Sequence, residues 1–477
     1  MGKYRRLGKN ILLIFVGNAG SKLILLFMLP FYTRWLTPSD YGSSDLVSTY
    51  SGLMLGILSC CIYDAIFLFP KDRPKNIQKG YISTAILFWF VTISIVGIVC
   101  LIIKSLGEKY GWSGFVYKYL WWMYLLFVVN YLQSVLQQFL RSIDKMVVYS
   151  TTGVVITISM VIFGFLLIPN GGGVHGYLSS IVLANILAIL YSLIYGGIWR
   201  YFSVRSANSS TLFEMLKYSL PLIPNGIMFF FISSFNRPVL ESYAGLAAVG
   251  IFALANRFPS VLNTVYLLFQ NAWLISVIEE AKKPSYETFY NRLLKIVVAG
   301  QSLLTVGLAF CGKWIIKLFA TPEYYSAWQY IPLLVIGVIF MNIATFVGSN
   351  FAVTRESKYY FYSTVWAGGA SVILNFTLIP FWGLWGATVA MLLSQVIGMI
   401  TRIKYSWKTV RITNIGFYCR NGLFVFGSVA ASLTLQSSNI LYLVIAICMA
   451  YFIYVNYHQL IGAVDIIKQH YKKVILQ

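Results

Sequence analysis

The stretch NILLIFVGNAGSKLILLFMLPFY, residues 10–32, decides the fold class. It is almost unbroken apolar sequence, and it is longer than the roughly 20 residues that a transmembrane helix needs. Its length and the lack of a small-residue cleavage site favour a retained helix over a signal peptide. Lys22 stands near its middle. A cation at the centre of a span costs at least about 2.5–3.5 kcal/mol, so it normally faces a protein interior or a wet cavity.

Similar apolar stretches recur through all 477 residues, which are 58% hydrophobic and only 10% charged, with a mean hydropathy of +0.74. This composition predicts an all-α polytopic membrane protein. We expect about fourteen transmembrane helices. The predicted spans are 10–32, 43–70, 80–106, 115–140, 147–168, 175–200, 213–238, 246–277, 288–312, 328–354, 359–380, 384–406, 415–436 and 439–457.

The net charge of +22 is distributed by membrane side. With the N-terminus in the cytoplasm, the inner segments hold 27 of the 36 lysines and arginines, the outer segments hold seven, and Lys22 and Arg257 lie within spans. This asymmetry is typical of cytoplasmic loops and predicts an even number of spans with both termini cytoplasmic. The basic charge therefore indicates topology and contact with anionic lipid, and we expect no nucleic-acid partner.

The six cysteines lie in or near apolar spans, and neither they nor the three histidines show the spacing of a metal site. We therefore expect no metal and no cofactor. No loop is long enough to hold a soluble domain, so the chemistry must lie within the membrane or at its faces.

The chain carries a weak internal duplication. Three pairs recur in the same order at offsets of 208 to 214 residues: Gly42 with Gly250, Arg141 with Arg355, and Gly173 with Gly383. The alternative is that glycine and proline punctuate any membrane loop. The duplication predicts two six-helix lobes that enter the membrane in the same direction, residues 1–206 and 207–412. Residues 413–477 then form two further helices and a cytoplasmic tail.

The same segments carry a family resemblance. PFYTRWLTPSDYG, residues 30–42, resembles the first-loop signature of the polysaccharide repeat-unit flippases (Wzx type). SLPLIP at 219–224, continuing to Asn256 and Arg257, NFTLIP at 375–380, and EYYSA at 323–327 are also similar. The resemblance covers essentially the whole chain. It places the chain with the multidrug/oligosaccharidyl-lipid/polysaccharide exporter superfamily.

The resemblance implies a fold and a function. The two six-helix lobes are expected to form a V that opens alternately to either side of the bacterial cytoplasmic (inner) membrane. The implied cargo is an undecaprenyl-diphosphate-linked oligosaccharide, moved from the cytoplasmic to the outer leaflet for O-antigen, capsule or exopolysaccharide. The partners expected on the outer side of the membrane are a polysaccharide polymerase and chain-length machinery.

Such a cargo needs a cationic, hydrated path, because dehydrating a diphosphate in hydrocarbon is prohibitive. Lys22 and Arg257 both fall near mid-membrane, one in each predicted lobe. Polar residues recur at helical spacing around them and predict cavity walls. The predicted cavity set is Lys22, Arg257, Asn18, Asn225, Asn256, Ser260 and Asn263. The alternatives are an ion pair with Asp64 or Asp45, or polar contacts between helices.

A second set of charges lies toward the span ends. Arg34 and Arg237 are predicted at the outer ends of spans one and seven, where they could form an exit gate with Asp45 or Glu241. The alternative is that they are ordinary interfacial anchors. Asp64, near the inner end of span two, could pair with a cation, bind a coupling proton or sodium ion, or remain an exposed rim residue.

The leading hypothesis is thus a lipid-linked oligosaccharide flippase and not an enzyme. There is no G-x-x-x-x-G-K-[ST] sequence, so ATP does not drive it directly. A flippase for a teichoic-acid or peptidoglycan lipid precursor is a close alternative. An ion-coupled multidrug exporter is disfavoured, because its cavity would favour acidic residues. A membrane glycosyltransferase or polymerase would need positioned carboxylates or a large outer loop.

Overall fold

The computed structural model describes residues 20, 23–281, 283–354, 356–407, 409–434, 447, 449–454 and 456–457. Within these ranges every regular element is a helix. The predicted cavity residues Asn18 and Lys22 lie outside the described residues, as do much of span one and most of span fourteen. The chain divides into two compact units after Ala253. The lobe boundary after residue 206 rests on the duplication and stays a prediction.

The first unit is built from ten helices of the described chain. These are α1 (Leu29–Trp35), α2 (Pro38–Leu58), α3 (Ile62–Leu68), α4 (Lys75–Tyr110), α5 (Phe115–Ser142), α6 (Met146–Leu167), α7 (Gly173–Ile194), α8 (Ser209–Ser219), α9 (Ile223–Ser233) and α10 (Asn236–Ala255). A π-helical turn, Ile168–Gly172, joins α6 to α7, and 3₁₀ turns at Ile198–Tyr201, Val204–Ser206 and Leu220–Leu222 flank α8. The final residues of α10 cross into the second unit.

The second unit continues with six more helices in the described ranges. These are α11 (Arg257–Glu280), α12 (Tyr286–Phe319), α13 (Ile331–Gly348), α14 (Asn350–Thr354), α15 (Ser357–Ser406) and α16 (Ile415–Thr434). A 3₁₀ segment, Pro322–Gln329, leads into α13. The aromatic core of the second unit centres on Trp273, which stacks on Phe346 with ring centroids 4.3 Å apart.

Seven helical stretches of the described chain are long and apolar enough to cross a membrane, or eight if the bent pair α2–α3 is one span. Three of these stretches have 49, 70 and 49 residues. At 1.5 Å per residue, even 49 residues would extend about 74 Å, more than twice the roughly 30 Å hydrocarbon core. Each must therefore turn back, and each contains a break: at Gly171, Gly245 and Gly383. Divided there, the described stretches correspond to predicted spans two to twelve. The count of fourteen stays a prediction.

Helices α6 and α7 form a hairpin. The Thr151 hydroxyl lies 2.8 Å from that of Tyr191, and the Thr152 hydroxyl lies 3.5 Å from that of Ser192. Near the turn, a Cβ placed on Gly176 would meet the Leu167 carbonyl, so the contacts are nested around residue 172. The two helices therefore run antiparallel. The turn needs glycine, because Gly171 and Gly173 both have positive φ.

Helix α15 repeats this hairpin in the second unit. The Arg402 guanidinium Nε donates to the Ser363 hydroxyl at 3.0 Å, and Tyr359 stacks on Tyr405, so its two arms also run antiparallel. The turn lies at Gly383, with φ 52° and ψ −122°, close to the φ 46° and ψ −130° of Gly173. These two glycines, 210 residues apart, thus share one unusual backbone conformation. The two hairpins therefore turn at matching positions of the predicted duplication.

The start of α2 explains the first-loop signature in physical terms. The Thr37 hydroxyl accepts from the Asp40 amide at 3.2 Å, and the Asp40 carboxylate accepts from the Thr37 amide at 3.2 Å. This is a capping box, with Pro38 at the first helical position. The helix therefore begins at Pro38, five residues before the predicted start of span two.

The predicted second span is not one continuous helix. Helices α2 and α3 meet at 61° across a break at Cys60 and Cys61, whose φ values are 51° and 52°. Left-handed backbone is unusual for residues other than glycine. The Ser59 carbonyl accepts from the Ile62 amide at 3.1 Å and from the Tyr131 hydroxyl at 3.3 Å. Nothing in the sequence, such as a glycine or a proline, indicates this break.

Helix α4 shows how the bundle meets lipid. Large apolar side chains on one side are strongly exposed, among them Phe90, Ile95 and Ile98 at 56–59%. In water such a stripe would be unfavourable, but against lipid it is not. The opposite side packs on α5, where the Trp89 indole donates to the Val128 carbonyl at 3.1 Å.

Candidate functional site

Arg257 is the predicted cavity cation that the structure describes. It is the first residue of α11 and follows a turn at Asn256, so the predicted span eight is interrupted at this point. Both side chains are partly exposed. The guanidinium, which is always protonated, favours an anion there.

The predicted polar stripe continues along α11. Ser260, Asn263 and Thr264 are all partly exposed and follow Arg257 at helical spacing. The Ser260 hydroxyl donates to the Arg257 carbonyl at 2.7 Å, and the Thr264 hydroxyl donates to the Ser260 carbonyl at 2.8 Å. Hydroxyls bonded in this way still have lone pairs to offer.

Farther along α11 the polar residues contact other helices. Gln270 accepts from the Tyr266 hydroxyl at 2.8 Å and donates to the Thr345 carbonyl of α13 at 3.3 Å. The Trp273 indole donates to the Ser349 hydroxyl at 2.8 Å. This half of the stripe therefore holds helices together inside the second unit.

The predicted wall residue Asn225 lies in the first turn of α9. Its side-chain oxygen is buried and has no hydrogen-bond partner within the described chain. The hydroxyl of Ser233, the last residue of the same helix, donates to the Phe229 carbonyl at 2.9 Å. Asn225 is thus a polar group whose bonding is incomplete, as expected at a ligand-binding surface.

Asp45 and Arg237 come together in the first unit. The Arg237 Nε lies 2.5 Å from a carboxylate oxygen of Asp45, although the residues are 192 positions apart. The pair is largely buried, with side-chain exposures of 11% and 17%. Arg237 also donates to the Ser233 carbonyl at 3.1 Å, and its guanidinium lies 5.6 Å from the Phe252 ring centroid.

Next to this ion pair, α2 and α10 approach each other backbone to backbone. A Cβ placed on Gly42 would collide with the Leu246 carbonyl and lie 2.8 Å from the Gly250 amide nitrogen. A Cβ placed on Gly250 would collide with the Pro38 carbonyl and lie 3.0 Å from the Gly42 nitrogen. Only glycine permits this contact. It joins matching positions of the repeat, since Pro38 and Leu246, like Gly42 and Gly250, are 208 residues apart.

The other predicted gate residues do not join this contact. Arg34 is exposed in the last turn of α1, and Glu241 is partly exposed one turn beyond Arg237. Asp64 lies in the first turn of α3, immediately after the break at Cys61. It forms no ion pair among the described residues, so the predicted pairing with a cation is not seen there. The same residues contain no group of three His, Cys, Asp or Glu side chains suited to a metal.

A polar stripe on α5 was missed by the sequence reasoning. Its members are Asn130, Gln133, Ser134, Gln137, Gln138 and Arg141. Their spacing of three and four residues places them along one face, which is the signal that could have found them. The buried Arg402 was also not predicted as a bound cation, because it is one of the 27 basic residues assigned to the inner segments. Arg402 is 8% exposed, and its guanidinium lies 4.0 Å from the Tyr360 ring centroid.

The second unit contains an apolar cavity of about 390 Å³. It is bounded by α12, α13, the second arm of α15, and α16. Val425 and Gly422 line it from α16, and Phe340 lines it from α13. A cavity so apolar suits a hydrocarbon chain.

A family model described as "Polysaccharide biosynthesis protein" matches residues 7–275, more than half of the chain. "Lsg locus putative protein 1" of Haemophilus influenzae is 26% identical over 371 residues, covering 74% of this chain and 79% of that protein. "Putative O-antigen transporter" of Shigella dysenteriae is 21% identical over 408 residues, covering 83% and 99%.

Solved structures show the same fold. The lipid II flippase MurJ, in an inward closed conformation, matches with a TM-score of 0.72 at 16% identity, covering 94% of this chain and 100% of that one. An inward-facing multidrug transporter of the MATE family matches with a TM-score of 0.59 at 15% identity, covering 89% and 96%. At these identities the likeness concerns the fold alone.

Proposed function

The chain belongs to the polysaccharide biosynthesis protein family, and on that premise we propose that it flips undecaprenyl-diphosphate-linked oligosaccharide repeat units from the cytoplasmic to the outer leaflet. It is a multi-pass membrane transporter of the flippase type and not an enzyme. We place it in the bacterial cytoplasmic membrane with both termini in the cytoplasm, as the distribution of basic residues predicts.

The observation that carries the proposal is the closed contact between repeat-related segments. Gly42 and Gly250 bring α2 and α10 together at the ends that are predicted to face outward, and Asp45 with Arg237 joins the same two helices beside them. A transporter that opens alternately needs a contact of this kind on the closed side. The two glycines have no interlocking side chains that would have to come apart, so the contact can separate and re-form.

The headgroup would travel past the predicted cavity residues. Arg257 would neutralise the diphosphate, and Lys22 would do so from span one. The partly exposed Asn256, Ser260 and Asn263 would bond to phosphate oxygens or sugar hydroxyls, as would Asn18 and Asn225. The apolar cavity beside α16 would hold part of the polyprenyl tail, so that the tail stays in an apolar environment.

The energy source is a separate part of the proposal. Asp64, next to the broken backbone at Cys61, is the residue proposed to bind a coupling proton or sodium ion. Broken helices in transporters expose backbone carbonyls that coordinate such ions. Moving one charge through 100 mV releases about 2.3 kcal/mol. A polysaccharide polymerase and its chain-length machinery, which consume the product outside, would also draw the reaction forward.

The test is transport in proteoliposomes. Undecaprenyl-diphosphate oligosaccharide would be placed in the inner leaflet, and its exposure followed with an external sugar-modifying enzyme, with and without proton and sodium gradients. We expect protein-dependent exposure that falls at least tenfold in Arg257→Gln, since charge-assisted hydrogen bonds contribute about 1.5–3 kcal/mol. Lys109→Gln, at the end of α4, is the matched control.

Substrate panels decide between the alternatives. Lipid-linked teichoic-acid and peptidoglycan precursors would be loaded in parallel, and preferred exposure of one of them would reassign the cargo. No exposure with any lipid-linked glycan, together with gradient-driven efflux of an organic cation, would replace the proposal with a drug exporter.

A further inference from the structure

The polar stripe on α5 lies in an unusual position. Helix α5 is the central helix of the first unit and contacts α2, α3, α4, α6 and α7. Its inner half, from Tyr131 to Leu140, is largely buried. Yet Asn130, Ser134, Gln137 and Arg141, which share one face, are all partly exposed. Polar and charged side chains of this kind are unfavourable against lipid, so this face is suited to a hydrated environment.

The bonding along this face is incomplete. The Gln133 amide donates to the Gln137 side-chain oxygen at 2.9 Å, and the Gln137 amide donates to the Tyr149 carbonyl of α6 at 3.4 Å. The Gln138 side-chain oxygen is buried without a partner in the described chain. Asn130 and Ser134 make no side-chain hydrogen bond to any described residue. Donors and acceptors are therefore left over along this stripe.

Arg141 ends the stripe with a positive charge. Its guanidinium lies 4.2 Å from the Phe67 ring centroid and 6.0 Å from that of Tyr149, so two aromatic rings hold it in place. No carboxylate among the described residues pairs with it. A positioned guanidinium with no carboxylate partner in the described ranges is suited to bidentate binding of phosphate.

We propose that this face of α5 is a binding track for a phosphate-linked carbohydrate, with the phosphate at Arg141 and the sugar hydroxyls along Gln137, Ser134 and Asn130. The proposal rests on the proposed function for its ligand. The track extends about 16 Å at 1.5 Å per residue. Arg141 lies at the end predicted to face the cytoplasm, so the track would receive the headgroup as it enters.

The test measures binding rather than transport. The full-length protein in detergent would be titrated with undecaprenyl phosphate, with undecaprenyl-diphosphate oligosaccharide, and with inorganic phosphate as a competitor. Arg141→Gln should lower the affinity for both lipids about tenfold or more, as the loss of a charge-assisted hydrogen bond predicts. Gln137→Leu should lower the affinity only for the lipid that carries the glycan. Lys118→Gln, at the opposite end of α5, is the matched control and should change neither.

The other possible results each count for or against the binding track. Unchanged affinities in Arg141→Gln and Gln137→Leu, with binding by the wild-type protein, would overturn the track. Displacement of both lipids by millimolar inorganic phosphate would assign the site at Arg141 to free phosphate, again against the proposal. Arg141→Lys keeps the charge and should bind better than Arg141→Gln, which separates loss of binding from misfolding. If binding depends on Arg141 but proteoliposomes show no transport, the track stands and the flippase proposal fails.

Discussion

Arg237 and Asp45 form an ion pair that fixes α10 to α2, with the Arg237 Nε 2.5 Å from an Asp45 oxygen. Asp45→Asn leaves a largely buried guanidinium without its counter-ion, and removing one partner of a buried pair costs about 3–5 kcal/mol. We expect a lower melting temperature and greater labelling of a cysteine at position 46 from outside. Arg34→Gln, at an exposed arginine, should change neither. The exchange Asp45→Arg with Arg237→Asp should restore part of the loss, and a melting temperature unchanged in Asp45→Asn would argue against the clamp.

Gly42→Ala and Gly250→Ala should separate the two helices that these glycines bring together. A Cβ at either position meets backbone atoms, which cannot rotate away as a side chain would. We therefore expect folded protein that reaches the membrane in normal amounts but loses at least nine-tenths of its transport, because the outer side cannot close. Gly52→Ala in α2, where nothing lies within 4 Å of the added carbon, is the control. Full activity in Gly42→Ala would exclude this contact from the transport cycle.

Gly173→Ala and Gly383→Ala should destabilise the two matching hairpins by similar amounts. Both glycines have backbone angles that essentially only glycine adopts, and a non-glycine residue there costs about 1–3 kcal/mol. Thermal unfolding in detergent should show lower melting temperatures in both variants. Gly369→Ala, in the helical first arm of α15, should not lower it. A difference of several degrees between the two hairpin variants would contradict their equivalence.

Gly422→Leu should fill part of the apolar cavity beside α16. The added side chain meets nothing within 4 Å at its Cβ, so the fold should tolerate it. We expect weaker binding of the undecaprenyl substrate, by about three- to tenfold, and unchanged binding of a short-chain analogue. Gly427→Leu, on the exposed side of α16, is the matched control. Equal losses for long and short chains would show that the cavity does not hold the tail.

The sequence predicted those features that depend on composition and on local residue type. The lengths of the apolar stretches predicted the transmembrane spans. Gly173 and Gly383 marked the hairpin turns, because those backbone angles require glycine. The break at Cys60 and Cys61 could not be predicted, since it is held by tertiary contacts such as that of Tyr131 with the Ser59 carbonyl. The pairing of Asp45 with Arg237 was one option among several, because charge alone does not give distance.

The packing of two arginines could not be predicted from the sequence either. Arg141 and Arg402 were assigned to inner loops because both lie near predicted span ends. In the structure each lies against an aromatic ring, Phe67 and Tyr360 respectively, and Arg402 is buried. The positive-inside rule treats every arginine near the end of a span alike. It therefore cannot distinguish an arginine that only sets the topology from one that packs against other side chains.

The approach of Gly42 to Gly250 has the form of an isologous interface, in which one surface patch meets its own copy. Gly42 lies against the Leu246 carbonyl of α10, and Gly250 lies in the same way against the Pro38 carbonyl of α2. A half-length ancestor carrying this segment once could therefore have formed the same contact by pairing with a second copy of itself. In such a dimer one glycine would have served both sides. Gene fusion would then have freed the two halves to diverge, leaving the ion pair of Asp45 and Arg237 on one side of the axis only.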